Sequence, residues 1–271
     1  MLKDLVVHLS GSQEDEARLA FAEAISERFG ARLRGVYVHM EPEPPEPSPQ
    51  ARPDASSDDD RHEQAAARAE ETLRRLKVRF KSLAVPHDLQ QVSVTSRDAG
   101  QSLAGRARTA DLYIGPLPDP ESAHDLQLEI SVLSGSGRSC LFVPSNMQAQ
   151  NGFATIVVAW NGSREAARAV SEAMPFLEQA GLVVLSTVSE DDMDARRTDI
   201  ARHLLRYGVP VVLSDAYAGP DGVGAALLEE VRKVGADLLV MGGYGPPPAG
   251  SMGAVTRSVL AGANVPVLMA S

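Results

Sequence analysis

The sequence predicts an α/β protein built from two tandem domains, each a five-stranded parallel sheet with helices on both faces. Short apolar runs alternate along the chain with segments whose apolar residues recur at steps of three and four, as strands and helices require. This order occurs twice in 271 residues, and the letters repeat: LVVHLSGS resembles IVVAWNGS, ARTADLYIG resembles VGADLLVMGG, and SCLFVP resembles VPVLMA. Alternating strands and helices form a parallel sheet covered on both sides, because short crossovers between parallel strands are right-handed.

The first domain is predicted to span residues 1–148. Its strands are short apolar runs bounded by turn residues, expected at residues 5–9, 32–39, 89–94, 111–115 and 139–143. Its helices are expected at residues 14–29, 64–81, 98–109 and 126–133. Residues 41–60 are rich in Pro, Asp, Glu and Ser, so we expect a disordered or loosely held loop there.

The second domain is predicted to span residues 153–271 and repeats this order. Its strands are expected at residues 155–160, 182–188, 209–213, 238–241 and 265–269. Its helices are expected at residues 164–179, 191–207 and 222–234, and a last helix begins at Gly253.

Composition and charge argue against several classes of function. The net charge of −10 disfavours binding to nucleic acid or to acidic membranes. No apolar run approaches the roughly 18 residues of a membrane span, and the N-terminal run is too short for a signal peptide. Cys140 is the single cysteine, which fits a reducing cytoplasm. The six histidines show no metal-ligand spacing, so no metal site is expected.

A glycine-rich turn in the second half predicts an anion site. The strand at 238–241 ends at Gly242, Gly245 follows, and Gly253 opens a helix. Glycines let the backbone approach a phosphate, and the N–H groups of a helix start point at it. Ligands of parallel sheets bind past the carboxyl ends of the strands, where strand order reverses. The turns after the first and fourth strands should therefore meet there, at residues 160–163 and 242–253.

These segments resemble the universal stress protein family, in a tandem arrangement of two such domains in one polypeptide. The resemblance rests most on VVAWNGSREAARAV, and on MGGYG followed by GAVTRSVL before NVPVLM. It covers nearly the whole chain except residues 41–60. It implies a Rossmann-like fold of the adenine nucleotide alpha hydrolase-like type and a cytoplasmic binding or regulatory role in the stress response. Many members bind ATP or AMP, with Mg²⁺ only as a companion of the nucleotide, and others bind none.

The resemblance also implies which residues surround a nucleotide. They are Asn161, Val188, Met241, Gly242, Gly245, Gly253, Ala254, Val255 and Thr256. Asn161 stands where the family has aspartate, and its amide can still hydrogen-bond a base edge or a sugar hydroxyl.

Two departures from the family motif, Gly-x2-Gly-x9-Gly-Ser/Thr, weaken the implied site. Seven residues instead of nine separate Gly245 from Gly253, and Ala254 stands at the Ser/Thr position. The loop begins with three prolines, residues 246–248, which lack backbone N–H groups where a phosphate would need them.

The first half is expected not to bind nucleotide. Ser10 stands at the aspartate position, and no second glycine follows Gly115. Residues 135–137 are interpreted as a helix end before the last strand. His8 and His39 end early strands near the switch point, where they either line a polar pocket or are satisfied strand residues.

No catalytic residue is expected. Ser163 is not in a nucleophile elbow and is interpreted as a helix N-cap. Trp160 alternates with Asn161 and is expected in the core. Acids at 191, 192 and 194 are interpreted as partners of a helix start rather than a cation site.

Three functions stay open at this point. The first is a regulatory protein that binds an adenine nucleotide in the second half. The second is a nucleotide-independent interaction scaffold, favoured by the prolines and by Ala254. The third is an adenine-nucleotide hydrolase, disfavoured because residues 10–13 lack a Ser-Gly-Gly-x-Asp-Ser pattern. In the family, subunits pair through their last strands; here residues 140–143 and 265–269 could pair within one chain, and such units could form a homodimer.

Overall fold

The computed structural model describes residues 1–42, 55–119, 122–150, 152–187, 194–216, 218–243 and 253–271. In the first half it contains β1 (Asp4–Leu9), α1 (Asp15–Phe29), β2 (Arg32–Met40), α2 (Ala55–Lys81), β3 (His87–Val94), α3 (Ser96–Ala107), β4 (Leu112–Pro116), α4 (Ala123–Ser136) and β5 (Ser139–Val143). In the second half it contains β6 (Thr155–Ala159), α5 (Arg164–Leu177), β7 (Leu182–Thr187), α6 (Asp194–Arg206), β8 (Val211–Asp215), α7 (Gly222–Val234), β9 (Leu238–Gly242), α8 (Ala254–Gly262) and β10 (Val267–Ala270).

All ten strands belong to one sheet, in the order β3-β2-β1-β4-β5-β10-β9-β6-β7-β8. Strands within each half are parallel, while β5 and β10 pair antiparallel, with Met269 opposite Cys140 and Val267 opposite Phe142. The two halves are therefore related by a pseudo-two-fold rotation axis that passes between β5 and β10. The predicted α/β class and the pairing of the last strands are confirmed, and the two five-stranded sheets form one continuous sheet.

Helices cover both faces of the sheet because strand residues alternate between two buried clusters. Val158 belongs to the cluster that packs beneath α1, α2, α5 and α6. Its neighbour Val157 belongs to the cluster on the other face, which packs against α3, α4, α7 and α8. The central strands are buried on both sides, which explains why they read as continuous apolar runs. The edge strands β3 and β8 are partly exposed.

In each half, an aspartate just before the fourth strand holds the start of the first strand by the same two hydrogen bonds. Oδ2 of Asp111 accepts hydrogen bonds from the backbone N–H groups of Lys3 and Asp4, at 2.6 and 3.0 Å. Oδ2 of Asp237 accepts the same pair of bonds at the start of β6, from Ala154 and Thr155, at 2.7 and 2.9 Å. These contacts show that the sequence repeat is also a repeat of hydrogen bonds.

The same close helix contact occurs in both halves, and it shows which residues of α4 and α8 occupy equivalent positions. A Cβ added to Gly100 of α3 would lie 2.5 Å from Cβ of Ser131, and one added to Gly224 of α7 would lie 2.5 Å from Cβ of Ser258. Ser131 in α4 therefore corresponds to Ser258 in α8. Two residues earlier, Glu129 corresponds to Thr256.

Some predicted boundaries were wrong. Helix α2 begins at Ala55 instead of residue 64, so residues 55–60 of the predicted loop are helical, while residues 43–54 lie outside the described residues. Asp and Ser suit the first turns of a helix as well as a loop, because acids complement the helix dipole.

Strands β8 and β10 begin two residues later than predicted. Pro210 and Pro266 precede them, and proline has no N–H to donate to a strand ladder. The carbonyl oxygens of these prolines still accept bonds, from the N–H groups of Val183 at 2.9 Å and Leu239 at 3.0 Å. None of the helices within the described ranges is long and apolar enough to cross a membrane.

Candidate functional site

The turn after β6 is held by two local hydrogen bonds. Oγ of Ser163 accepts from the N–H of Ala166 at 3.1 Å, which confirms the predicted N-cap of α5. Oδ1 of Asn161 accepts from the N–H of Ser163 at 3.0 Å, and Gly162 allows the turn with φ of 71°. Asn161 is thereby held exposed at the carboxyl end of β6.

A cavity of about 240 Å³ lies at this end of the second half. It is lined by Ala159, Trp160, Asn161, Ser186, Val223, Leu227, Met241, Gly242, Gly253, Ala254, Val255 and Thr256. Seven of the nine predicted site residues are among them, so the turns after the first and fourth strands do meet. The other two, Val188 and Gly245, lie outside the described residues.

The cavity has an apolar wall and one buried hydroxyl that the sequence prediction missed. Val223 and Leu227 line it from α7, opposite Met241 of β9. Ser186 of β7 is fully buried. Helical spacing in α7 indicated an apolar face, but no sequence pattern indicated that this face borders a cavity as well as the core.

The first turn of α8 forms one end of the cavity. Its N-cap is Gly253, which has no side chain with which to cap the helix. The first N–H groups of a helix have no partner within the helix, and they favour an anion. Thr256 is buried in this first turn, while Gly253 is exposed.

The two described glycines of the motif differ in role. A Cβ on Gly242 would lie 2.8 Å from the backbone nitrogen of Ala166 and 2.9 Å from Glu165, so this glycine allows β9 to pack against α5. A Cβ on Gly253 would meet no atom of a described residue within 4 Å. Gly242 is therefore required by packing, and Gly253 leaves room at the helix start.

Trp160 packs against the cluster on the other face of the sheet from Met241. This confirms its predicted place in core packing.

The first half has a cavity of about 470 Å³ at the equivalent edge. Nδ1 of His8 lies 2.9 Å from Oε1 of Glu129, and the Tyr113 hydroxyl donates to Oε2 of Glu129 at 3.0 Å. Arg18 donates from Nε to the carbonyl oxygen of His8 at 2.8 Å. His8 is thus both a satisfied strand histidine and a wall of a polar pocket; His39 is not among the residues that line it.

Glu129 takes the place that Thr256 has in the second half. A Cβ on Gly115 would lie 2.5 Å from Oε2 of Glu129, so the carboxylate occupies the space above this glycine. His8 stands where the repeat has Ala159. A buried carboxylate at this position disfavours a phosphate by charge repulsion.

This carboxylate also acts on its neighbours. Burial raises the pKa of Tyr113 well above its usual value, and the negative charge of Glu129 raises it further. Burial likewise raises the pKa of the Cys140 thiol well above its usual value, again with a contribution from Glu129. Cys140 is therefore a protonated core residue rather than a reactive thiol.

Within the described ranges, no group of three His, Cys, Asp or Glu side chains could hold a metal ion.

Known structures resemble the whole chain. No family model and no curated protein matches the sequence. A universal stress protein from Archaeoglobus fulgidus DSM 4304 matches 98% of this chain and 95% of its own, at 16% identity and a TM-score of 0.74. A functionally unknown protein from Pseudomonas aeruginosa PAO1 matches 99% of this chain and 92% of its own, at 14% identity and a TM-score of 0.62.

A candidate universal stress protein from Pseudomonas aeruginosa UCBPP-PA14 matches 99% of this chain and 93% of its own, at 15% identity and a TM-score of 0.59. Since these matches extend across both halves, the chain has the fold of universal stress proteins.

Proposed function

We propose that this protein is a tandem universal stress protein that binds an adenine nucleotide in its second half and acts by binding rather than by catalysis. One observation carries the proposal: a single cavity joins the exposed amide of Asn161, an apolar wall and the start of α8, whose N-cap is Gly253. These are the three surfaces that a nucleotide needs for its sugar, its base and its phosphate.

The size of the cavity favours a small nucleotide. Its volume of about 240 Å³ is below the roughly 300–1,000 Å³ of common ligand pockets. The base and sugar fill such a space, and the first phosphate lies over the N–H groups of α8. Any further phosphates of ATP, with their Mg²⁺, extend outward, so AMP satisfies the cavity as well as ATP does.

In this proposal the two halves have different roles. The second half binds ligand, and the first half, whose equivalent space holds Glu129, serves as a partner and scaffold. The protein works in the cytoplasm in this proposal, because its one cysteine is buried and reduced. A homodimer of the two-domain units is part of the same proposal, through surfaces other than β5 and β10.

A nucleotide-independent interaction protein is the second candidate. Four large apolar side chains are exposed on or next to α6 and edge strand β8. They are Leu205, Tyr207, Val212 and Leu213, with 56, 55, 48 and 45% exposure. Exposed apolar side chains in one region are typical of protein contact sites.

Substitutions at Gly253 test the nucleotide site. Asp at this N-cap stabilises α8, since its carboxylate accepts from the free N–H groups, but it takes the place of a phosphate. We expect Gly253→Asp to raise the thermal midpoint slightly and to weaken AMP binding more than about tenfold, because a like charge there opposes the ligand. Gly253→Ser is the matched control, because it caps the helix without a charge.

The measurement is titration calorimetry with AMP, ADP and ATP, beside mass spectrometry of small molecules released from gently purified protein. Binding by the wild type and by Gly253→Ser, but not by Gly253→Asp, supports the site. A wild-type protein that carries no nucleotide and gives no heat with millimolar AMP, ADP or ATP overturns it, and the exposed edge of β8 then becomes the candidate functional surface.

A further inference from the structure

Ser186 has a buried hydroxyl without a partner in the part of the chain that the structure describes. The residue is 0% exposed, and its Oγ makes no hydrogen bond to any described residue. Most buried polar side-chain atoms in native proteins have a partner, and an unpaired one costs free energy. Its hydrogen-bonding capacity is therefore unused in the protein alone.

The register of the sheet places the Ser186 side chain on the face that borders the cavity. Ser186 pairs in register with Ala159 of β6 on one side and with Ser214 of β8 on the other. Registered neighbours in a parallel sheet face the same side, and this side carries α7 and α8, as the cluster containing Val184 and Met241 shows. Ser186 is accordingly one of the residues that line the cavity.

A neighbouring serine shows that the fold can satisfy a hydroxyl on this face. Ser214, next to Ser186 in register, donates from Oγ to Oε1 of Glu230 on α7 at 2.6 Å. Ser186 lies one strand closer to the cavity, opposite Val223 and Leu227, which offer no polar side-chain atom. No described side chain bonds this hydroxyl, so a ligand in the cavity would supply the polar partner that it lacks.

We propose that Ser186 is a specificity-determining residue that contacts the polar edge of the nucleobase. This inference rests on the proposed nucleotide site and deepens it. The surroundings of Ser186 are apolar, which suits the faces of a purine ring, while a hydroxyl both donates and accepts. It can thus pair with a ring nitrogen or an exocyclic amino group. The site then holds the base at Ser186 and the phosphate at α8.

Ser139 supplies a matched control for this proposal. It is also a buried strand serine whose Oγ makes no hydrogen bond. It lies at the start of β5, paired with Leu112, and is not among the residues that line the cavity. Ser186→Ala and Ser139→Ala therefore remove the same unpaired group, one beside the proposed ligand and one away from it.

The experiment measures AMP binding to the full-length variants by calorimetry, together with their thermal midpoints. We expect Ser186→Ala to melt no lower than the wild type, because it removes an unpaired hydroxyl, yet to bind AMP about 5- to 50-fold more weakly, because a polar atom of the base loses its partner. Ser139→Ala should bind AMP as the wild type does. Ser186→Cys, nearly isosteric but a weak hydrogen-bonding group, gives the same direction if the alanine variant folds poorly.

Base analogues locate the contact. The probes are purine riboside 5′-monophosphate, which lacks the amino group, and the 1-, 3- and 7-deaza forms of AMP. One of these should bind the wild type and Ser186→Ala equally, because it lacks the atom that Ser186 contacts. AMP binding by Ser186→Ala within about twofold of the wild type, or an equal loss for every analogue, overturns the assignment while the nucleotide site stands. A wild type that binds no adenine nucleotide overturns both.

Discussion

Nδ1 of His8 and Oε1 of Glu129 lie 2.9 Å apart in the interior of the first half. The second half has Ala159 and Thr256 at the equivalent places, beside an open apolar cavity. One fold thus gives two different interiors at its two switch points. In the first half, protein side chains satisfy one another, whereas in the second half the Oγ atom of Ser186 has no partner among the described residues.

The Glu129 contacts should stabilise the first half. We expect Glu129→Ala to lower the free energy of unfolding by about 3–5 kcal/mol, because it leaves the buried polar groups of His8 and Tyr113 unpaired. Glu129→Gln keeps the acceptor oxygen and should cost clearly less. Urea unfolding at neutral pH measures both, and Glu71→Ala, which removes a carboxylate of an exposed pair with Arg74, is the control. A Glu129→Ala variant as stable as the control would contradict this account.

Alkaline stability should depend on Cys140. Burial, with the charge of Glu129, raises the pKa of its thiol in the folded state, whereas the unfolded thiol titrates near ~8.5. The folded state then keeps its proton while the unfolded state loses it. The stabilisation is complete below pH ~8.5 and is lost as the pH rises toward the folded pKa, by up to about 1.4 kcal/mol per pH unit.

Cys140→Ala should remove this part of the alkaline slope. The test is the free energy of unfolding in urea at pH 7.5, 8.5 and 9.5, about one unit apart around the unfolded pKa. Val143→Ala, on the same strand and equally buried, should lower the stability by a similar amount at every pH and leave the slope unchanged. A Cys140→Ala slope that equals the wild-type slope is the outcome that rejects the prediction.

Asp111 and Asp237, which bond the backbone at the starts of β1 and β6, should have equal and independent effects on stability. Each of Asp111→Ala and Asp237→Ala removes the acceptor for two backbone N–H groups, so we expect each to cost about 1–3 kcal/mol. The two sites share no hydrogen-bond partner, so the double variant should show the sum within about 0.5 kcal/mol. Asp199→Ala, at an exposed pair with Arg202, is the control, and denaturant unfolding is the measurement.

Gly242 should be needed for folding more than for ligand approach. We expect Gly242→Ala to destabilise the protein by about 1–3 kcal/mol, because the added methyl group overlaps the backbone at the start of α5. Gly105→Ala in α3 is the comparison: a Cβ there meets nothing within 4 Å, and alanine favours the helix by roughly 0.5–1 kcal/mol. The measurement is the thermal unfolding midpoint of both variants. A Gly242→Ala midpoint equal to that of the wild type would reject the packing role.

The sequence itself determined the local structure. Apolar runs and helical spacing predicted the order of all the strands and helices, because these patterns depend on neighbours within a few residues. The cap at Ser163 was predictable for the same reason, since its partner Ala166 is three residues away. The internal repeat then indicated which turns meet, because parallel strands bring their carboxyl ends to one edge.

Only the tertiary structure decided how each switch point is filled. His8 and Glu129 are 121 residues apart, and no local pattern connects them. Ser186 looks like an ordinary strand residue until its register beside Ala159 turns the hydroxyl toward α7. Gly242 looked like a phosphate-binding glycine until the packing of α5 against β9 showed what a side chain there would meet. Local propensity selects the elements, whereas contacts between distant elements decide which buried polar groups find a partner inside the protein.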